Sequence, residues 1–161
     1  MSSAAMEEGE WALPADLSDV IRHLEATYPQ EGCGVILRAG PNGPWRIRPI
    51  SNAYDRYSAA DPARFPHTSR TAYLFEPREW LAINLEADAR GERVACVFHS
   101  HVNGVAQLSA EDRAQALPDR QPLLPGVSYL VVAVVRGHAT EARLFRWADG
   151  DFRDRLVPLS A

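Results

Sequence analysis

The chain has 161 residues, 46% of them hydrophobic and 24% charged, with a formal net charge of -4. That composition fits one soluble globular domain long enough to bury a core. No apolar run reaches the ~18–20 residues of a membrane span, and the absence of a basic stripe argues against nucleic acid as a partner.

Residues 1–10 lack the positive region and apolar core of a secretory signal, so the cytoplasm is the expected location. A flexible tail is expected over 1–12, one domain over 13–157 and a short tail over 158–161. All 17 basic residues are arginine. The absence of lysine fits codon bias in a GC-rich genome, or avoidance of serving as an isopeptide acceptor.

Leu17, Val20, Ile21, Leu24 and Tyr28 share one helical face, which predicts an amphipathic helix over about 16–28, ended before Pro29. A loop through Glu31-Gly32 then feeds a buried strand at Val35-Ile36-Leu37. Gly40-Pro41-Asn42-Gly43 is a turn signal, and Trp45-Arg46-Ile47-Arg48 alternates, so the two strands form a hairpin. Residues 51–70 read as a loop with one helical turn near 59–64. Tyr54, Tyr57 and Phe65 are expected to pack that loop rather than line a cleft. Thr71 to Phe75 reads as a short strand.

A helix follows from Pro77 to about Arg90, stopped by Gly91. Val94 to Phe98 is a central strand running into His99. After a loop at 102–108, a helix spans Ser109 to about Leu117. A proline-containing loop covers 118–127, and strands cover 128–135 and 140–147. Asp151 to Val157 reads as an edge strand. The expected fold class is α/β: a single-domain mixed, largely antiparallel sheet with helices on both sides. Cys33 and Cys96 form no C-x-x-C pair, which argues against a disulfide framework or a thiolate metal site; both read as core residues.

The chemistry concentrates at His99-Ser100-His101. Residues i and i+2 of a strand share a face ~6.5–7 Å apart, so two imidazoles there can converge on one ion at ~2.0–2.1 Å. Asp112 sits three residues after Ser109, the spacing of a capping box. It also reads as a third ligand, its charge favoured by the helix N-terminus. Three such ligands with a fourth position left for water match a catalytic zinc site, one Zn2+ per chain. Ser100 faces the opposite side of the strand, in packing with a hydrogen bond. His23, His67 and His138 are expected at the surface, away from the metal.

Amide cleavage needs a proton carrier beside the metal. Glu31 is a candidate on its glycine-flanked loop. From spacing alone it is one of 21 acidic residues, and Glu111 competes with it.

Taken together, Glu31, His99-Ser100-His101, Ser109 and Asp112 resemble the JAMM motif of MPN-plus zinc metalloprotease domains: E, then H-[ST]-H, seven residues, S-x-x-D. Gln30-Glu31-Gly32-Cys33-Gly34 resembles the E-x-C-G entry of small prokaryotic members, and the likeness covers about residues 15–150. The resemblance implies an MPN/JAMM fold akin to the cytidine-deaminase-like architecture, with zinc on His99, His101 and Asp112 and a catalytic water. It makes Glu31 the general base and then acid, and gives Ser109 the developing oxyanion. It implies cleavage of the amide after the C-terminal glycine of a ubiquitin-like or sulfur-carrier protein, with E1-like or E2-like enzymes of the same pathway as further partners.

The substrate's extended tail is expected to add along a sheet edge; no residues are assigned to bind it. Two positions depart from the family pattern. Val102 and Leu108 stand where prolines are usual, which puts pre-organisation of the 102–108 loop in question. The alternative function is an inactive MPN-type scaffold that binds a ubiquitin-like partner or assembles a complex. A zinc deaminase is disfavoured because no P-C-x-x-C accompanies an H-x-E pair.

Overall fold

The computed structural model describes residues 11–159, so the expected tails fall mostly outside the described residues. The strands are β1 (Cys33–Arg38), β2 (Trp45–Ile50), β3 (Arg93–Val102), β4 (Ser128–Val135), β5 (His138–Ala148) and β6 (Asp151–Leu156). They form one six-stranded sheet in the order β2-β1-β3-β4-β5-β6. Only β3 and β4 run parallel; the other neighbours are antiparallel. The α/β class and the largely antiparallel mixed sheet are therefore as expected.

Four helices accompany the sheet among the described residues: α1 (Ser18–Thr27), α2 (Tyr54–Ala60), α3 (Pro77–Arg90) and α4 (Ala110–Ala116). The two-residue side-chain period divides the core between the two faces. Val20 and Leu24 of α1 pack with Ile36, Cys96, Phe98, Leu130 and Val132. Ile83 and Ala87 of α3 and Ala116 of α4 pack with Val35, Val97, Val131 and Ala133 on the other face. His99 and His101 continue the Val97 row, so they emerge on the α3–α4 side. Both cysteines are buried and free.

Local chemistry explains the helix ends. Pro77 opens α3, the Glu76 carboxylate accepts the Glu79 N–H, and Gly91 closes the helix at φ 66°. Of its apolar residues only Ile83 and Ala87 are fully buried, while Leu81 and Leu85 face outward. No helix among the described residues is long and apolar enough to cross a membrane.

Two expectations in the 51–75 region need correction. The helical turn is α2, starting at Tyr54 rather than near 59, because Asn52 Oδ1 accepts the Tyr54 N–H. Its aromatic residues do pack the loop: Tyr54 meets Phe65 edge-on, as does Tyr57. Thr71 to Phe75 is not a strand and holds only an isolated bridge, Asn52 to Phe75. There the Asn52 side chain takes hydrogen bonds a neighbouring strand would otherwise supply, accepting the Leu74 N–H and donating to the Ala72 carbonyl.

Candidate metal centre

The centre lies at the C-terminal end of β3. His99 is fully buried and His101 partly so. Their Nε2 atoms are 3.2 Å apart, and Asp112 Oδ2 lies 3.1 Å from the first and 2.9 Å from the second. Donors held ~2.0–2.1 Å from one tetrahedral zinc would be roughly 3.3 Å from one another. The three atoms are thus nearly at chelating separation.

The donor set is suited to a shared positive charge. The Val105 carbonyl, which can only accept, lies 3.0 Å from His101 Nδ1. That nitrogen therefore carries a proton, and when His101 is neutral its Nε2 presents a lone pair. This lone pair points into a space already occupied by a carboxylate oxygen and a second imidazole nitrogen. Acceptor groups facing each other near 3 Å repel unless a positive charge sits between them.

The charges respond accordingly. Burial works to raise the Asp112 pKa, but the His99 charge and hydrogen bonds from both imidazoles and the Ser109 N–H hold it well below the carboxylate range. Burial pushes His99 down, against the pull of Asp112. Burial also acts to lower His101, but the Asp112 and Glu31 carboxylates raise it overall.

Asp112 caps its helix and faces the histidines with the same oxygen. Its Oδ2 accepts the Ser109 N–H at 2.9 Å, while Ser109 Oγ accepts the Asp112 N–H at 3.0 Å. The capping box therefore aims the carboxylate at the site. Ser109 Oγ uses a lone pair in this bond, leaving its hydroxyl proton available to donate.

Glu31 comes from the loop between α1 and β1. It is buried, and its Oε1 has no hydrogen-bond partner. Donor atoms of Glu31, His99 and His101 all lie within 4.8 Å of one another, a set that could itself hold a metal ion. Burial pushes the Glu31 carboxyl up to about 8, with His101 opposing and Asp112 reinforcing the shift. The competitor Glu111 points elsewhere, its carboxylate 3.7 Å from His67 Nε2.

The glycines beside Glu31 are required by space. A Cβ on Gly32 would lie 2.4 Å from Thr27 Oγ1, and one on Gly34 would lie 2.4 Å from Phe98 Cζ and 2.6 Å from the Arg48 carbonyl. Ser100 does face the opposite side of β3, where it is fully buried and its Oγ accepts the Gly32 N–H at 2.8 Å. The residue between the two histidines thus ties the Glu31 loop to their strand.

The 102–108 loop is fastened without the usual prolines. Asn103 sits at φ 52°, donates its N–H to the Val134 carbonyl, and accepts from Tyr28 Oη and the Arg136 N–H. Ala106 and Leu108 are buried. This arrangement holds the Val105 carbonyl that orients His101.

Sequence reasoning missed several supports. Tyr73 stacks on His99 with ring centroids 4.4 Å apart and planes 27° apart. Asn52, Ser69 and Asn103 also serve the site, and nothing in their local spacing marks them. His23 is a further correction: it is half-buried, with its ring edge toward Phe98 and its Nε2 enclosed. It faces the sheet because α1 turns that side inward. His138 is exposed as expected.

Comparison with known proteins agrees with this architecture. Solved structures similar in fold include the following two. A Desulfitobacterium hafniense protein has a TM-score of 0.63 and 21% identity, covering 88% of this chain and 86% of its own. A Salinibacter ruber protein has a TM-score of 0.58 and 24% identity, covering 89% and 86%. No curated protein matches. Residues 14–148 match the family described as prokaryotic homologs of the JAB domain. That match spans most of the chain, which belongs to this family of prokaryotic JAB-domain homologs.

Proposed function

We propose that the protein is a zinc-dependent peptidase or isopeptidase that hydrolyses the amide after the C-terminal glycine of a ubiquitin-like or sulfur-carrier protein. The observation that carries this reading is the convergence of His99 Nε2, His101 Nε2 and Asp112 Oδ2 within 2.9–3.2 Å, with the His101 tautomer fixed by Val105. These three residues would hold the metal. Zinc, when bound, supplies a Lewis acid that makes water acidic near neutral pH and polarises a carbonyl.

The chain's own groups complete the reaction. Glu31, with an unpartnered carboxylate oxygen close to both histidines, takes the proton from the attacking water and returns it to the leaving amine. The Ser109 hydroxyl donates to the oxyanion as the carbonyl becomes tetrahedral. Asp112 is committed to the histidines and the Ser109 N–H, which leaves proton transfer to Glu31.

The test uses zinc-loaded protein and a ubiquitin-like domain carrying a fluorogenic amide after its terminal diglycine. Wild-type protein should release the fluorophore. Glu31→Gln should abolish release while keeping one zinc, and His99→Ala should lose both zinc and activity. A wild-type protein that binds zinc yet cleaves neither this substrate nor a cysteine adduct of a sulfur carrier would indicate the scaffold reading instead.

A further inference from the structure

Glu31 has a buried carboxylate, but the sheet does not hold its peptide. Its N–H and C=O are both gripped by the 51–70 segment, which the sequence presents as a connecting loop. The Glu31 N–H donates to the Ser69 carbonyl at 2.7 Å. Asn52 Nδ2 donates to the Glu31 carbonyl at 2.9 Å and to the Ala72 carbonyl at 3.1 Å. The Asn52 Oδ1 accepts the N–H groups of Tyr54 and Leu74, at 3.0 and 3.2 Å. Ser69 is itself anchored, its N–H and hydroxyl donating to the two oxygens of Asp55 at 2.8 and 2.6 Å.

Ala72 and Leu74 flank Tyr73, whose ring lies against His99. One amide side chain therefore reaches the backbone of the proton carrier and, on both sides, the backbone of the residue stacked under a metal-site histidine. We propose that Asn52 is a positioning residue that couples the placement of the Glu31 carboxylate to that of the Tyr73–His99 stack, with the Asp55–Ser69 pair as its second anchor. The inference rests on the assignment of Glu31 as acid–base group. It makes the 51–70 loop part of the catalytic frame.

A Glu31 peptide released from this grip can shift, and near-ångström displacement of a catalytic group costs on the order of 100-fold in rate. The geometry fixes proton transfer more than substrate binding, so the loss belongs in kcat.

The experiment compares wild type with Asn52→Ala and Asn52→Asp. The aspartate keeps an acceptor for Tyr54 and Leu74 and replaces the donor by a carboxylate oxygen that repels the Glu31 and Ala72 carbonyls, so it breaks the grip on Glu31 and carries the test should the alanine variant fold poorly. Three quantities are read in zinc-loaded protein: kcat and KM on the diglycine substrate, zinc stoichiometry, and amide hydrogen exchange at Glu31 against Val131 and Val132 in β4. The expected result is a roughly 30–100-fold fall in kcat with KM changed less than about threefold. One zinc is retained. Glu31 exchanges at least about tenfold faster, while the β4 amides are unchanged.

A general loss of stability would raise exchange at all three amides together and would overturn the proposal. Wild-type kcat in a folded Asn52 variant would overturn it too. Cleavage retained by Glu31→Gln would overturn the functional reading and this inference with it. Cleavage lost in Glu31→Gln but kept in Asn52→Ala would overturn this inference alone.

Discussion

Replacing Ser100 by alanine removes one buried hydroxyl and tests how the Glu31 loop is tied to the metal strand. Ser100 is fully buried, and its Oγ accepts the Gly32 N–H at 2.8 Å. Gly32 is buried as well, so the alanine leaves a backbone N–H with no partner and no access to water. An unsatisfied buried donor costs about 1–3 kcal/mol. The return bond, from the Ser100 N–H to the Gly32 carbonyl, survives because it is backbone to backbone. Urea unfolding of Ser100→Ala should therefore show an unfolding free energy lowered by about 1–3 kcal/mol, seen as a lower midpoint with an unchanged m-value. Zinc stoichiometry should stay at one, since no ligand is touched. A variant as stable as wild type, to within about 0.3 kcal/mol, would refute the view that this hydroxyl secures the loop.

Other perturbations separate the supports of the site. Asn103→Gly should lose the bonds to Tyr28 and Arg136 but keep the positive φ, whereas Asn103→Ala loses both; chemical denaturation should find the alanine variant less stable by about 1 kcal/mol. Gly32→Ala should cost about 1–3 kcal/mol through contact with Thr27 and Leu24, measured the same way. The Asp55 carboxyl is held below its usual range by the Ser69 hydroxyl and N–H. Its contribution is present above the unfolded value of about 4 and is lost as pH falls through the lower folded value. The stability gap between wild type and Asp55→Ala should accordingly shrink as unfolding is measured from pH 7 down to about pH 3. Chelation of zinc should abolish cleavage, and zinc added back should restore it.

The candidate metal site was legible because its residues are local in sequence. His99 and His101 continue a strand whose apolar period fixes their common face. The S-x-x-D spacing places Ser109 and Asp112 in one helical turn, and the Asp112 oxygen that closes the capping box is the one that faces the histidines. Glu31 could be chosen among the acidic residues only through the family likeness, because its contact with the histidines spans more than sixty residues of chain. Asn52, Ser69 and Tyr73 left no sequence signal for the same reason: polar residues in a loop look alike whether they face water or a distant backbone. The mistaken strand at Thr71 to Phe75 shares this cause. Its apolar run is real, but a side-chain amide takes the place of a partner strand. The loop that lacks the family's usual prolines is held instead by Asn103 and by Tyr28, just past the end of α1.

The central claim, amide hydrolysis at this centre, is tested most directly by mass spectrometry of the zinc-loaded protein's products in 18O-labelled water. Wild-type protein should yield a ubiquitin-like or sulfur-carrier product ending at its glycine, with one labelled oxygen in the new carboxylate. Glu31→Gln, still carrying one zinc, should yield none. Uncleaved substrate with wild-type protein, or labelled product formed equally by Glu31→Gln, would contradict the account.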